Sequence, residues 1–323
     1  MRQANIKKCL IRAREIPPVF YMMAIGVVLF TIWGENFLTV GNISNILIQA
    51  SPLLVLSIGQ TLIILMGGTD LSLGYTMSFV GLMSAYALKA GIPVIFVIIW
   101  GIFIGGVIGS INGFFISNYR LPYFICTYGV GNVFFGLGLL LSGGISVPAL
   151  NRSFRYLADG KLFGKIPIVI LIAFGIFLLM KVLMDKTSLG RDVHGLGGNR
   201  EALYLAGVNV KRAEFTSFLI TGLLAGCAGV LFCARSASGH PSSGVGWEFD
   251  AVAASVIGGN SFIGGRGSLN RTILGVIFLC LLRNGLNMIG IHTRFQSTVV
   301  GIVVVLAISI DSLIQRSEEE KKP

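Results

Sequence analysis

The chain has 323 residues, of which 54% are hydrophobic and only 12% charged, with a formal net charge of +11 and a mean hydropathy of +0.82. A soluble domain carries about a quarter charged residues, so the composition excludes a soluble globular protein. The basic residues gather at the termini and in one central loop, a pattern that fits membrane orientation and not a nucleic-acid partner.

MRQANIKKCLIRAREIPP opens the chain with strong basic character, and the apolar run after it ends at Trp33-Gly34-Glu35 without a small-x-small cleavage site. A retained first span is expected rather than a removed leader. Apolar stretches able to cross about 30 Å of hydrocarbon put spans at 17–34, 45–66, 71–89, 92–116, 122–142, 166–184, 213–235, 251–263, 269–289 and 296–315. The expectation is an all-α polytopic membrane protein of about ten transmembrane helices, some short or broken, with N- and C-termini cytoplasmic. Residues 1–16 are then a basic cytoplasmic segment, 17–315 the transmembrane domain with a cytoplasmic loop at 185–212, and 316–323 a cytoplasmic tail. An even count keeps both basic termini on the side that also receives Arg120, Lys186, Arg191, Arg200, Lys211 and Arg212. Segment 143–165 argues back, because it falls outside yet holds Arg152, Arg155, Lys161 and Lys165.

LMGGTDLSLGY contains the only acid between Asn36 and Leu88. A carboxylate at bilayer depth is costly unless paired or hydrated. Asp70 therefore either faces a wet cavity, with Ser72 beside it, or takes the free amides of Ser72 or Leu73 at the start of the next helix. AVAASVIGGNSFIGG is short for a span and reads as a half-helix followed by extended backbone, which survives in a membrane only where protein or water satisfies its amides. IILMGGTDLSLG and ASVIGGNSFIGG share the same helix-break look, and paired interruptions point to a transporter's central pathway. Between them, Gly101, Gly105, Gly109 and Gly113 recur every fourth residue, and Gly222 and Gly226 repeat the device, so close helix packing is expected.

Polar residues within spans include Gln49, Gln60, Asn112, Asn132, Asn284 and Asn287. Amides offer both donor and acceptor to a neutral solute, or else bond helix to helix at about 0.6–2 kcal/mol each. Gln60, Asp70, Ser72, Asn112, Asn132, Arg283, Asn284 and Asn287 are the pathway or gate candidates. No catalytic set stands out and no metal site is expected: Cys9, Cys126, Cys227, Cys233 and Cys280 lack CxxC spacing, and His194, His240 and His292 are scattered. GxxxxGK[ST] is absent, so ATP is not expected to bind this chain in that manner. In the loop DKTSLGRDVHGLGGNREALYLAGVNVKR, Arg200–Ala206 is predicted as a short helix capped by Asn199 and closed by a turn at Gly207-Val208-Asn209.

GGNREALYLAGVNVKRAEFTSFLITGLLAGCAG resembles the coupling-loop region of bacterial ABC importer permeases of the ribose/galactose type, within the branched-chain amino acid permease superfamily. GGTDLSLG and AVAASVIGGNSFIGGRGS resemble two further signatures of that family, in the same order. The resemblance implies a permease subunit in the bacterial cytoplasmic (inner) membrane that moves a small polar solute, above all a monosaccharide. It implies a second permease subunit, as homodimer or heterodimer, and a cytoplasmic ABC ATPase that uses ATP and Mg, with no cofactor on this chain. It also implies a periplasmic or lipid-tethered solute-binding protein. Asn199, Arg200, Glu201, Ala202 and Gly207 are carried over as the elbow that couples to the ATPase. The alternatives are a stand-alone secondary transporter or channel, an importer of nucleosides or branched-chain amino acids, and a membrane scaffold or intramembrane enzyme.

Overall fold

The computed structural model describes residues 18–292, 295–296, 298–303, 305–306 and 309. In lipid each backbone amide must be satisfied within its own segment, and the apolar runs accordingly form helices: α1 (Pro18–Trp33), α2 (Val40–Leu65), α3 (Leu73–Lys89), α4 (Val94–Tyr119), α5 (Tyr123–Ser142), a short α6 (Arg152–Asp159), α7 (Ile168–Lys186), α8 (Ser188–Leu205), α9 (Val210–Ser236), α10 (Trp247–Ile257) and α11 (Leu269–Met288). Among the described residues six of these are long and apolar enough to cross a membrane, and α1 is a shorter apolar helix. The predicted segments 1–16 and 316–323, and much of the span at 296–315, lie outside the described residues.

One boundary changes the reading. The span predicted at 251–263 is an eleven-residue helix, α10, that begins earlier and stops at Ile257. At 1.5 Å per residue it is about 16 Å long, half the hydrocarbon thickness. Gly258 and Gly259 end it, and residues 258–268 are non-helical before α11 begins. The stop is a left-handed turn, in which Gly259 takes φ +103° and the Asn260 amide donates back to the Ser255 carbonyl (3.2 Å); a Cβ at Gly258 would overlap the Arg271 carbonyl, so chain and neighbour meet backbone to backbone here.

α2 and α9 form the centre, with 78% and 72% of their most apolar stretches buried, while α5 and α7 bury only 22% and 28% and form the rim. α4 lies along α9. A Cβ at Gly105 would overlap the Gly222 carbonyl and one at Gly109 the Phe218 carbonyl, while one at Gly113 would stand 3.1 Å from the Phe215 backbone. The glycine stripe thus removes the side chains that would hold the two helices apart. The opposite face of α4 leaves Phe96, Ile99, Trp100 and Phe103 exposed, as a lipid-facing surface requires. Beyond the far ends of α5 and α9, β1 (Val147–Pro148) and β4 (Ser238–Gly239) pair antiparallel, and β2 (Lys161–Leu162) pairs with β3 (Ile166–Pro167).

Candidate functional site

The three glycine-rich stretches converge at one end of the bundle. The amide of Gly265, in the break after α10, donates to the Leu65 carbonyl at the end of α2 (2.9 Å). Gly197 sits against the same carbonyl so closely that a Cβ would overlap it, and a Cβ at Gly264 would lie 2.8 Å from the Gly67 amide and 3.1 Å from Gly197 Cα. His194 Nδ1 lies 3.2 Å from the Gly265 carbonyl. Both helix breaks and the α8 loop therefore share one backbone-to-backbone junction.

α8 is two helices with a kink between them at Asn199, whose backbone is extended (φ −158°, ψ 104°). Asn199 Oδ1 accepts the Ala202 amide at 2.9 Å and so caps the second piece, Arg200–Leu205. Gly207 takes a left-handed φ of +85°, and Asn209 Oδ1 accepts the Arg212 amide to start α9. The result is a short rigid elbow.

A buried acid fastens this elbow to the bundle. Glu214, at the start of the second turn of α9 and 2% exposed, accepts Arg200 Nε at 3.1 Å, Arg200 Nη2 at 3.0 Å and the Tyr123 hydroxyl at 2.9 Å. The carboxylate's hydrogen bond holds Arg200 protonated more firmly than an ordinary arginine. Tyr123 opens α5, and its ring packs on Phe218 (centroids 5.7 Å apart) and lies so close to Gly68 that a Cβ there would collide with it. A continuous contact chain thus runs from Arg200 through Glu214 and Tyr123 to the break between α2 and α3.

Within that break Asp70, 1% exposed, accepts the Ser72 amide (2.8 Å) and hydroxyl (2.6 Å). Asn112 of α4 donates to the Ser72 hydroxyl (2.8 Å), and the Leu71 amide donates to Thr127 of α5 (2.9 Å). The helix begins at Leu73, later than expected, so Asp70 fixes the turn leading into α3 rather than capping that helix directly. The second break is held likewise by Asn260. Its amide donates to Ser255 (3.1 Å) and Thr272 (2.9 Å), and its oxygen accepts the Ser268 amide (2.7 Å).

About 24 Å along α2 from Leu65, a cavity of about 370 Å³ opens among α2, α9, α10 and α11; its lining includes Gln49, Arg235, Trp247, Asp250 and Arg283. Arg283 pairs with Asp250 at 2.5 Å.

The family described as branched-chain amino acid transport system / permease component matches residues 42–308. The chain belongs to this permease family. It is 33% identical to the D-allose transport system permease protein AlsC of Escherichia coli (strain K12) over 299 residues, 92% of this chain and 91% of that one. It is 35% identical to the ribose import permease protein RbsC of Bacillus subtilis (strain 168), over 90% of this chain and 91% of that one. With RbsC of Escherichia coli (strain K12) the identity is 33%, over 86% and 88%. No solved structure matches. The permease is accordingly a transport component rather than an enzyme, and a multi-pass protein of the bacterial inner membrane.

The pathway candidates of this permease do not form one group. Asp70, Ser72 and Asn112 meet as described, and Arg283 lines the distal cavity. Asn284 exchanges two amide hydrogen bonds with Asn42 at 2.9 Å, joining α11 to α2. Asn287 accepts from Gln296 at 2.6 Å, and Asn132 donates to Tyr128 in its own helix. Gln60 is fully buried, and neither polar atom of its side chain has a partner among the described residues. Sequence reasoning missed Glu214, Tyr123, Arg235 and Asp250. Neither acid stands alone as Asp70 does: Glu214 follows Lys211 and Arg212, and Asp250 follows Glu248, so each passes for part of a charged helix end.

Proposed function

We propose that this permease is the membrane-spanning subunit of an ATP-binding-cassette importer that carries a monosaccharide into the cell by alternating access. Relatives named for D-allose transport and ribose import support a sugar over a branched-chain amino acid. In this reading the chain makes ten crossings, both termini and the α8 elbow are cytoplasmic, and a second permease subunit completes the pathway. A solute-binding protein delivers the sugar on the opposite side.

The observation that carries the reading is the attachment of the elbow. An outside force can act on a buried pathway only through an element that is exposed to the partner and stiffly joined to the spans. Tyr204 and Leu205 stand 69% and 78% exposed on the elbow, beside a groove of about 900 Å³ lined in part by Arg120, Glu201 and Lys211. Arg200, one turn away, is fixed by two bonds to buried Glu214. Closing of two ATPase subunits on ATP would push the exposed face, and the contact chain to Tyr123 and Gly68 would carry that displacement to the first break.

Site-specific photocrosslinking from position 204 tests this. The expected product joins the permease to the ATPase subunit and changes in yield when ATP is bound. Capture of the solute-binding protein instead would put the elbow on the other face and defeat the proposal.

A further inference from the structure

Charges are rare in membrane-embedded helices and mark functional sites when present. The distal cavity gathers three: Arg235, Asp250 and Arg283. Asp250 and Arg283 neutralise one another. Arg235 has neither an ion pair nor a hydrogen-bond partner among the described residues, and the same holds for the Gln49 amide and the Trp247 indole. The cavity therefore carries one uncompensated positive charge and offers unused N–H donors, five from the guanidinium and one from the indole. Trp247 is itself braced, edge-on to Phe232 with ring centroids 5.1 Å apart. A volume of about 370 Å³ lies within the range of about 300–1,000 Å³ that holds one small ligand.

The geometry points to a solute site of the permease itself in this cavity, one that takes a neutral or acidic sugar and rejects an amino sugar. Hydroxyl or carboxylate oxygens accept from Arg235 and from the Trp247 indole N–H, and Gln49 supplies both donor and acceptor. A cationic solute meets Arg235 without a counter-charge and is repelled. The assignment rests on the sugar-importer reading and adds the site and the charge class to it.

The test uses full-length permease in lipid nanodiscs. The chain has three tryptophans, and Trp33→Phe with Trp100→Phe leaves Trp247 as the sole reporter. D-allose, D-gluconate and D-glucosamine are titrated at equal millimolar concentrations. Saturable changes in Trp247 fluorescence with D-allose and D-gluconate, and none with D-glucosamine, are expected. Arg235→Gln is expected to weaken D-gluconate about tenfold, as loss of a charge-assisted hydrogen bond implies, and Arg235→Lys to restore part of that loss. A silent Trp247 with all three probes overturns the assignment, as do an equal response to D-glucosamine and D-gluconate or unchanged D-gluconate binding in Arg235→Gln. ATP-driven D-allose uptake by the assembled importer is measured in parallel. Uptake with a silent Trp247 rejects the site alone; a responding Trp247 with uptake that needs no ATPase rejects the importer reading alone.

Discussion

Arg200 and Glu214 meet in a two-pronged ion pair, Nε to Oε1 at 3.1 Å and Nη2 to Oε2 at 3.0 Å, that joins the exposed elbow of α8 to the buried foot of α9. Arg200 is 39% exposed and Glu214 only 2%, so the pair spans the boundary between the surface and the core. Lysine would keep the charge at position 200 but not the planar fork.

Arg200→Ala leaves the Glu214 carboxylate buried with only Tyr123 as partner. The loss is on the order of 1–3 kcal/mol, trimmed by the solvent that reaches Arg200. Thermal unfolding in detergent should move down by a few degrees, while ATP-driven uptake should fall much further than ATP hydrolysis by the assembled importer. Arg200→Lys should fall between. Uptake and hydrolysis lowered in equal proportion would mean that the pair serves folding alone.

Gly197→Ala drives a methyl group into the Leu65 carbonyl, whereas Gly198→Ala meets nothing within 4 Å. Forcing that contact apart costs about 1–3 kcal/mol and displaces the Gly265 hydrogen bond. Paired melting curves should show destabilisation by the first substitution only.

Gly105→Ala should pry α4 from α9 at the Gly222 carbonyl, at a similar cost of about 1–3 kcal/mol. Gly136→Ala in α5 has open space around it and serves as the control. Equal yields and melting temperatures for the two variants would contradict the close packing of α4 on α9.

Gly207→Val asks a β-branched residue to hold φ at +85°, which costs about 1–2 kcal/mol. The strain relaxes most readily by tilting Arg200–Leu205. Membrane insertion should survive, with uptake reduced several-fold and hydrolysis less dependent on solute.

The sequence displays what depends on spacing or on local composition. The four-residue glycine period of α4, the Gly-Gly interruptions after Leu65 and Ile257, and the lone acid Asp70 all announce themselves in one dimension. The Asn199 cap and the Gly207 turn do as well, because both are fulfilled by amides three residues away or by their own φ. The partners of Glu214 are not readable in this way. Tyr123 lies at the start of a different helix, and only the fold brings it within 2.9 Å. Asp250 was hidden for another reason. Its helix begins at Trp247 within a stretch that reads as a loop, so the acid falls just outside the span expected at 251–263, and only α10 sets it against Arg283.

The central claim is that this permease supplies a pathway and borrows its driving force through the elbow. Proteoliposomes holding the purified permease, with or without its ATPase and solute-binding protein, test it most directly through accumulation of labelled D-allose or D-ribose. Accumulation against a gradient only when all components and ATP are present is the predicted result. Accumulation by the permease alone would contradict it.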